Sequence, residues 1–69
     1  MEFHENLLQL RTRRKLTQQQ VADGAGLSLR GYQNYERGLR GPSLPALVAL
    51  ADFYGITLDE LVCRERSKP

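Results

Sequence analysis

With 69 residues, 41% of them hydrophobic, and a formal net charge of +2, the chain is one small domain with apolar content enough for a core and too much for a disordered tail. No apolar run can span a membrane, no secretory leader pattern is visible, and the single cysteine, Cys63, excludes an intrachain disulfide; a reducing, cytoplasmic setting is expected. The charge is uneven: Arg11 to Arg40 holds seven bases (Arg11, Arg13, Arg14, Lys15, Arg30, Arg37, Arg40) against Asp23 and Glu36, a local +5 that suits a polyanion.

In chain order, Phe3, Leu7 and Leu10 repeat at helical spacing, so residues 3 to 14 read as an amphipathic helix. Thr17-Gln18-Gln19-Gln20 matches a capping box and opens a second helix with Val21, Ala22 and Ala25 on one face, closed by Gly26. Ser28 is an N-cap for a third helix, which runs to about Arg37 and stops at Gly38. Ser43 caps a fourth, with Pro45 tolerated in its first turn and Gly55 at its end. Leu44, Leu47, Val48, Ala51 and Tyr54 are expected to form its buried stripe. Thr57-Leu58-Asp59-Glu60 is a second capping box, opening a fifth helix with Leu58, Leu61 and Val62 inward. No stretch alternates with period two for long enough to be a strand. The expectation is an all-α, compact five-helix bundle over residues 1–63, with a polar, frayed tail at residues 64–69.

Ala22, Gly26, Leu27, Tyr32 and Tyr35 place a small residue, a turn glycine and three apolar anchors as a tight helix-turn-helix requires. Helical hairpins of this kind also occur in proteins that never touch DNA, so the spacing by itself decides nothing. The longer stretch is more specific. Leu16 to Leu61 carries Leu16-Thr17-Gln18, then Ala, Gly and Ser at the turn, Glu36-Arg37-Gly38, Pro42-Ser43-Leu44 and Gly55-x-Thr57-Leu58-Asp59-Glu60-Leu61. In order and register this resembles the Cro/phage-repressor type helix-turn-helix (XRE) family, and Leu10-Arg11 matches the end of that family's first helix. The resemblance implies a lambda repressor-like DNA-binding domain, usually dimeric, whose third helix enters the major groove while the second crosses the backbone.

The outer face of helix three is chemically fit for that task. At about 100° per residue, Leu29, Gln33, Arg37, Arg30 and Asn34 share an arc of about 140°, with Tyr32, Tyr35 and Ser28 on the opposite, core-facing side. Arginine pairs with guanine O6/N7, asparagine and glutamine with adenine N6/N7, and leucine meets a thymine methyl. By resemblance, Leu29, Arg30 and Asn34 match base-reading positions, with Gln33 flanking them. Gln18 matches a glutamine that binds phosphate with help from the helix dipole. Arg13, Arg37 and Arg40 are expected near phosphates, and Arg14 and Lys15 are weaker candidates. Arg11 and Glu36 match a structural ion pair between helices one and three.

Several positions depart from the family pattern. Leu29 stands where relatives carry a polar residue such as glutamine, so the brace between glutamines of helices two and three is expected to be missing. Lys15 replaces a common glycine. Ala25 is smaller than usual while Tyr32 and Tyr35 are larger, an exchange that keeps the core filled; the tyrosine hydroxyls are expected to reach the surface.

Other chemistry finds no support. His4, expected to be exposed, and Cys63, expected to be partly buried near the end of helix five, are too few for a metal site of those ligands, and no cofactor is expected. Gly24-Ala25-Gly26 lacks the ending of a phosphate-binding loop. No nucleophile sits with a base, so no enzyme is expected. Two readings remain: a sequence-specific regulator, dimeric on a two-fold related duplex operator, or a protein-interaction module such as an antitoxin or adaptor. Phe53, Leu58 and Val62, on the outer side of helix five and the loop before it, are the candidate dimer contacts.

Overall fold

The computed structural model describes residues 2–62; Cys63 and the tail at 64–69, for which the sequence raised expectations, lie outside the described residues. Five helices follow one another: α1 Phe3–Arg13, α2 Gln18–Ala25, α3 Leu29–Arg37, α4 Leu44–Tyr54 and α5 Leu58–Val62. No strand occurs among the described residues.

The helix boundaries follow local chemistry. Thr17 Oγ1 accepts the Gln20 amide at 3.0 Å while Gln20 Oε1 takes the Thr17 amide at 2.8 Å, satisfying two donors that the first turn of α2 leaves open. Thr57 and Glu60 repeat this exchange at α5. Single hydroxyls serve α3 and α4, where Ser28 Oγ takes the Gly31 amide and Ser43 Oγ the Ala46 amide. Gly26 and Gly38 end α2 and α3 at φ of 71° and 74°, left-handed values that cost glycine little. Lys15 adopts the same region at φ 56° without that freedom, which explains why glycine suits this place in the α1–α2 turn.

Leu7, Val21, Ala22, Tyr32, Leu50, Ala51, Tyr54 and Leu61 form the core. Helix α1 packs on α3 and α5, α2 on α3 and α4, and α4 on α5. Asn6 Nδ2 donates to the Leu61 carbonyl at 2.8 Å and to that of Glu60 at 3.1 Å, so α1 ties down the free carbonyls of short α5.

Three expectations about burial fail here. The buried side of α4 is Ala46, Leu50, Ala51 and Tyr54, with Leu47 packed beside them, whereas Leu44 is 65% exposed and Val48 41% exposed. Helix α4 is apolar almost all round, so its sequence gives little contrast by which to orient it. A contact on α2 helps choose the face: Phe53 packs where a Cβ on Gly24 would overlap its ring. Leu58, expected inward, lies half out at the start of α5. His4 is not free either; its imidazole is half-buried against Gly38, at the end of α3.

Candidate nucleic-acid interface

Helix α3 is held from behind by a polar hub. Glu36, in its last turn, has a side chain 6% exposed and meets Arg11 of α1, itself 16% exposed. The pair is bidentate, with Arg11 Nε donating to Oε2 at 2.5 Å and Nη2 to Oε1 at 3.1 Å. Arg11 Nη1 also donates to the Leu16 carbonyl at 3.0 Å, fixing the chain as it enters α2. The Tyr32 hydroxyl donates to Glu36 Oε2 at 2.5 Å, one helical turn away. That hydroxyl was expected at the surface; Tyr32 is instead fully buried, and its polar end is satisfied by the carboxylate.

Burial alone would raise the Glu36 carboxyl, but hydrogen bonds from Arg11, Tyr32 and Gln18 hold it below the usual carboxylate range. The hydrogen bond to Glu36 in turn raises Arg11, and burial together with that carboxylate raises the Tyr32 phenol. Glu36 is therefore ionised at neutral pH, and it accepts from three side chains.

The third donor corrects the expectation of a missing brace. Gln18 Nε2 donates to Glu36 Oε1 at 3.0 Å, and Gln33 Nε2 donates to Gln18 Oε1 at 3.0 Å. A glutamine brace between α2 and α3 is present, supplied by Gln33 because it lies one turn beyond Leu29 on the same face. Its only sequence signal is that i, i+4 relation. Tyr32 and Glu36 share the same spacing, which is the sequence signal that could have found their contact.

The outer side of α3 contrasts with this wiring. Arg30 and Arg37 are exposed, and Leu29, Gln33 and Asn34 are half-exposed. Ser28, assigned by the wheel to the core side, is exposed as the N-cap. Gly31 has open space except toward the Ser28 hydroxyl, which a Cβ would meet at 3.0 Å. No neighbouring helix presses on it. Arg13 ends α1, Arg40 lies beyond Gly38, and both are exposed. Arg14 is engaged elsewhere, its guanidinium lying 4.9 Å from the centroid of the Tyr54 ring. Exposed polar side chains on a short helix, a buried hub behind it and a second helix braced across it form one cross-linked unit.

A helix-turn-helix family model matches residues 7–61, nearly all of the described chain. The chain belongs to the XRE-type helix-turn-helix family. Among curated relatives of this XRE-type chain, the HTH-type transcriptional regulator AnsR of Bacillus subtilis is 42% identical over 64 residues, covering 93% of this chain and 55% of that protein. The cryptic phage CTXphi transcriptional repressor RstR of Vibrio cholerae is 40% identical over 60 residues, covering 87% and 54%. The chain thus spans about half the length of these relatives. Among solved structures, the restriction-modification controller protein C.AhdI from Aeromonas hydrophila superposes with a TM-score of 0.81 at 36% identity, covering 86% of this chain and 89% of that one. A transcriptional regulator from Listeria innocua gives 0.85 at 28% identity, covering 97% and 63%.

Proposed function

We propose that this XRE-type domain binds duplex DNA sequence-specifically, with α3 in the major groove and α2 across the backbone. Leu29, Arg30, Gln33 and Asn34 read base edges, and Arg13, Arg37 and Arg40 neutralise phosphates. The observation that carries this reading is the division of labour on α3. Its rear is pinned by a buried ionic hub, while the side chains of Arg30 and Asn34 make no hydrogen bond or ion pair with another described residue and remain available to a ligand. Side chains that must meet base edges need a rigid helix and free donors, and α3 offers both.

Leu44 and Val48 leave an apolar strip on α4, with Leu58 exposed at the start of α5. We assign these residues to contact with a second copy, giving a dimer on two half-sites related by a two-fold axis. Selection from random duplexes, followed by footprinting and salt titration, tests the reading. A recurrent half-site and a steep fall in affinity with salt support it. No enriched sequence and a shallow salt dependence support a protein-interaction module instead. Arg30→Ala is expected to lose about 1–3 kcal/mol and to relax preference at one base pair; an unchanged preference removes Arg30 from the readers.

A further inference from the structure

We propose that a cavity between the start of α1 and the segment after α3 binds a small carboxylic acid with a branched or cyclic hydrocarbon body, and that the bound acid draws Arg40 away from DNA. The cavity has a volume of about 310 Å³, within the range of small-molecule sites. Its lining divides in two. Phe3, Pro42, Leu47 and Val62 supply apolar surface, and Phe3 and Leu47 also pack against the core, which holds that surface in place. His4, Tyr35 and Arg40 supply polar ends. None of these three side chains makes a hydrogen bond or ion pair with another described residue. His4 is held by shape instead: its ring lies 3.1 Å from where a Cβ on Gly38 would stand, and the left-handed φ of 74° there favours glycine.

The chemistry of the lining selects the ligand. Apolar walls favour a hydrocarbon body. The Arg40 guanidinium offers a planar fork of donors that matches a carboxylate, and the Tyr35 hydroxyl adds another donor. Glu2 is the one acid of the lining, so a second negative charge on the ligand would meet repulsion. The fit is to a single carboxylate on an apolar body. A phosphate ester or a nucleotide brings too much charge and too little hydrocarbon.

Arg40 then has two claimants. On the major-groove reading above, it neutralises a phosphate; a carboxylate held on the same guanidinium removes that contact. The acid therefore weakens DNA binding, and DNA weakens binding of the acid by the same factor. Only this effect on DNA rests on that reading; the cavity and its chemistry stand apart from it.

The probe is cyclohexanecarboxylate, with cyclohexanecarboxamide and cyclohexylmethylamine as its neutral and cationic counterparts. Amide chemical shifts of the full chain are followed during titration without DNA. Expected are saturable shifts at Phe3, His4, Gly38 and Gly41, a Kd on the order of 1 mM, and binding of the amide and the amine weaker by about tenfold or more. In Arg40→Gln the advantage of the acid over the amide disappears. Arg40 is exposed, so that variant keeps its fold. Absence of saturable shifts overturns the site. An amide that binds as well as the acid, or an advantage that survives Arg40→Gln, overturns recognition of a carboxylate by Arg40. An amine that binds best overturns it in favour of Glu2. Shifts that follow protein concentration instead of probe concentration mark a second copy over the cavity and overturn the site as well.

Affinity for a selected duplex is then measured in sodium cyclohexanecarboxylate against an equal concentration of sodium chloride. At saturation the acid lowers wild-type affinity by roughly fivefold or more. It also reduces the slope of log affinity against log salt by about 0.9, the mark of one lost phosphate contact. Arg40→Gln, whose affinity starts lower, does not respond. Unchanged wild-type affinity at saturation overturns the effect on DNA. A chain that selects no duplex sinks the major-groove reading, while the titration without DNA still decides the cavity.

Discussion

Helices α3 and α4 present two kinds of surface. Behind α3, a carboxylate, a guanidinium, a phenol and two amides are joined by bonds between 2.5 and 3.1 Å long. On α4, Leu44 and Val48 offer exposed apolar area and nothing directional. Hydrogen bonds fix distance and angle, so the first region can set the aim of a side chain. Apolar area gives attraction without direction, so the second suits a contact whose register is set elsewhere. The two should therefore fail differently when altered.

Arg11→Met should produce the largest effect on stability. It leaves the Glu36 carboxylate buried without its cation, at a cost of about 3–5 kcal/mol for a pair this enclosed. Urea unfolding at neutral pH measures it. A loss below 1 kcal/mol would show that the hub is hydrated and cannot fix the aim of α3.

Acid should reach the same region. The Glu36 carboxyl is lower in the folded chain than its ordinary value. Its stabilisation is therefore complete above the ordinary carboxylate range and is lost as pH falls through the lowered folded value. Glu36→Gln removes that titration. Its stability, already reduced at neutral pH, should fall less steeply on acidification than the wild type. Parallel acid limbs would mean that another carboxylate governs the response.

Val48→Lys probes the other surface. The side chain is 41% exposed, so folding stability should shift by no more than about 0.5 kcal/mol. Operator binding should drop by an order of magnitude or more, because a second copy no longer adds its half-site. Sedimentation together with DNA titration separates the two effects. Unchanged affinity and association would remove this strip from the dimer contact.

What the sequence disclosed divides along similar lines. Ends of helices were readable because caps are local: Thr17 with Gln20, Ser28, Ser43 and Thr57 with Glu60 each sit within three residues of the amides they serve. The outward-facing arc of α3 followed from its polar and aromatic contrast at helical spacing. The buried face of α4 did not, because Leu44 and Leu50 look alike until α2 and α5 are in place. Nor did the brace. Gln18 and Gln33 are 15 positions apart, and their contact depends on the crossing of two helices. The family pattern places the brace at residue 29, whereas this chain moves it one turn along and keeps its geometry.

Gly31 is the smallest test of the comparison. Alanine there gains about 1 kcal/mol of helix propensity. Its Cβ would stand 3.0 Å from Ser28 Oγ, the atom that accepts the residue 31 amide at the same distance. The cap must yield by a few tenths of an ångström, which offsets part of the gain, so stability should stay within about 0.5 kcal/mol of wild type or rise slightly. Core packing cannot explain the glycine, since no other heavy atom approaches that position. On the proposed major-groove reading, the glycine serves close approach of the α3 backbone to DNA on the same side as Asn34. Equal stability with weaker DNA binding in Gly31→Ala would confirm that the groove needs the space. Equal stability with equal binding would mean that α3 sits higher in the groove, reading with its long side chains, Arg30 and Gln33, more than with its backbone.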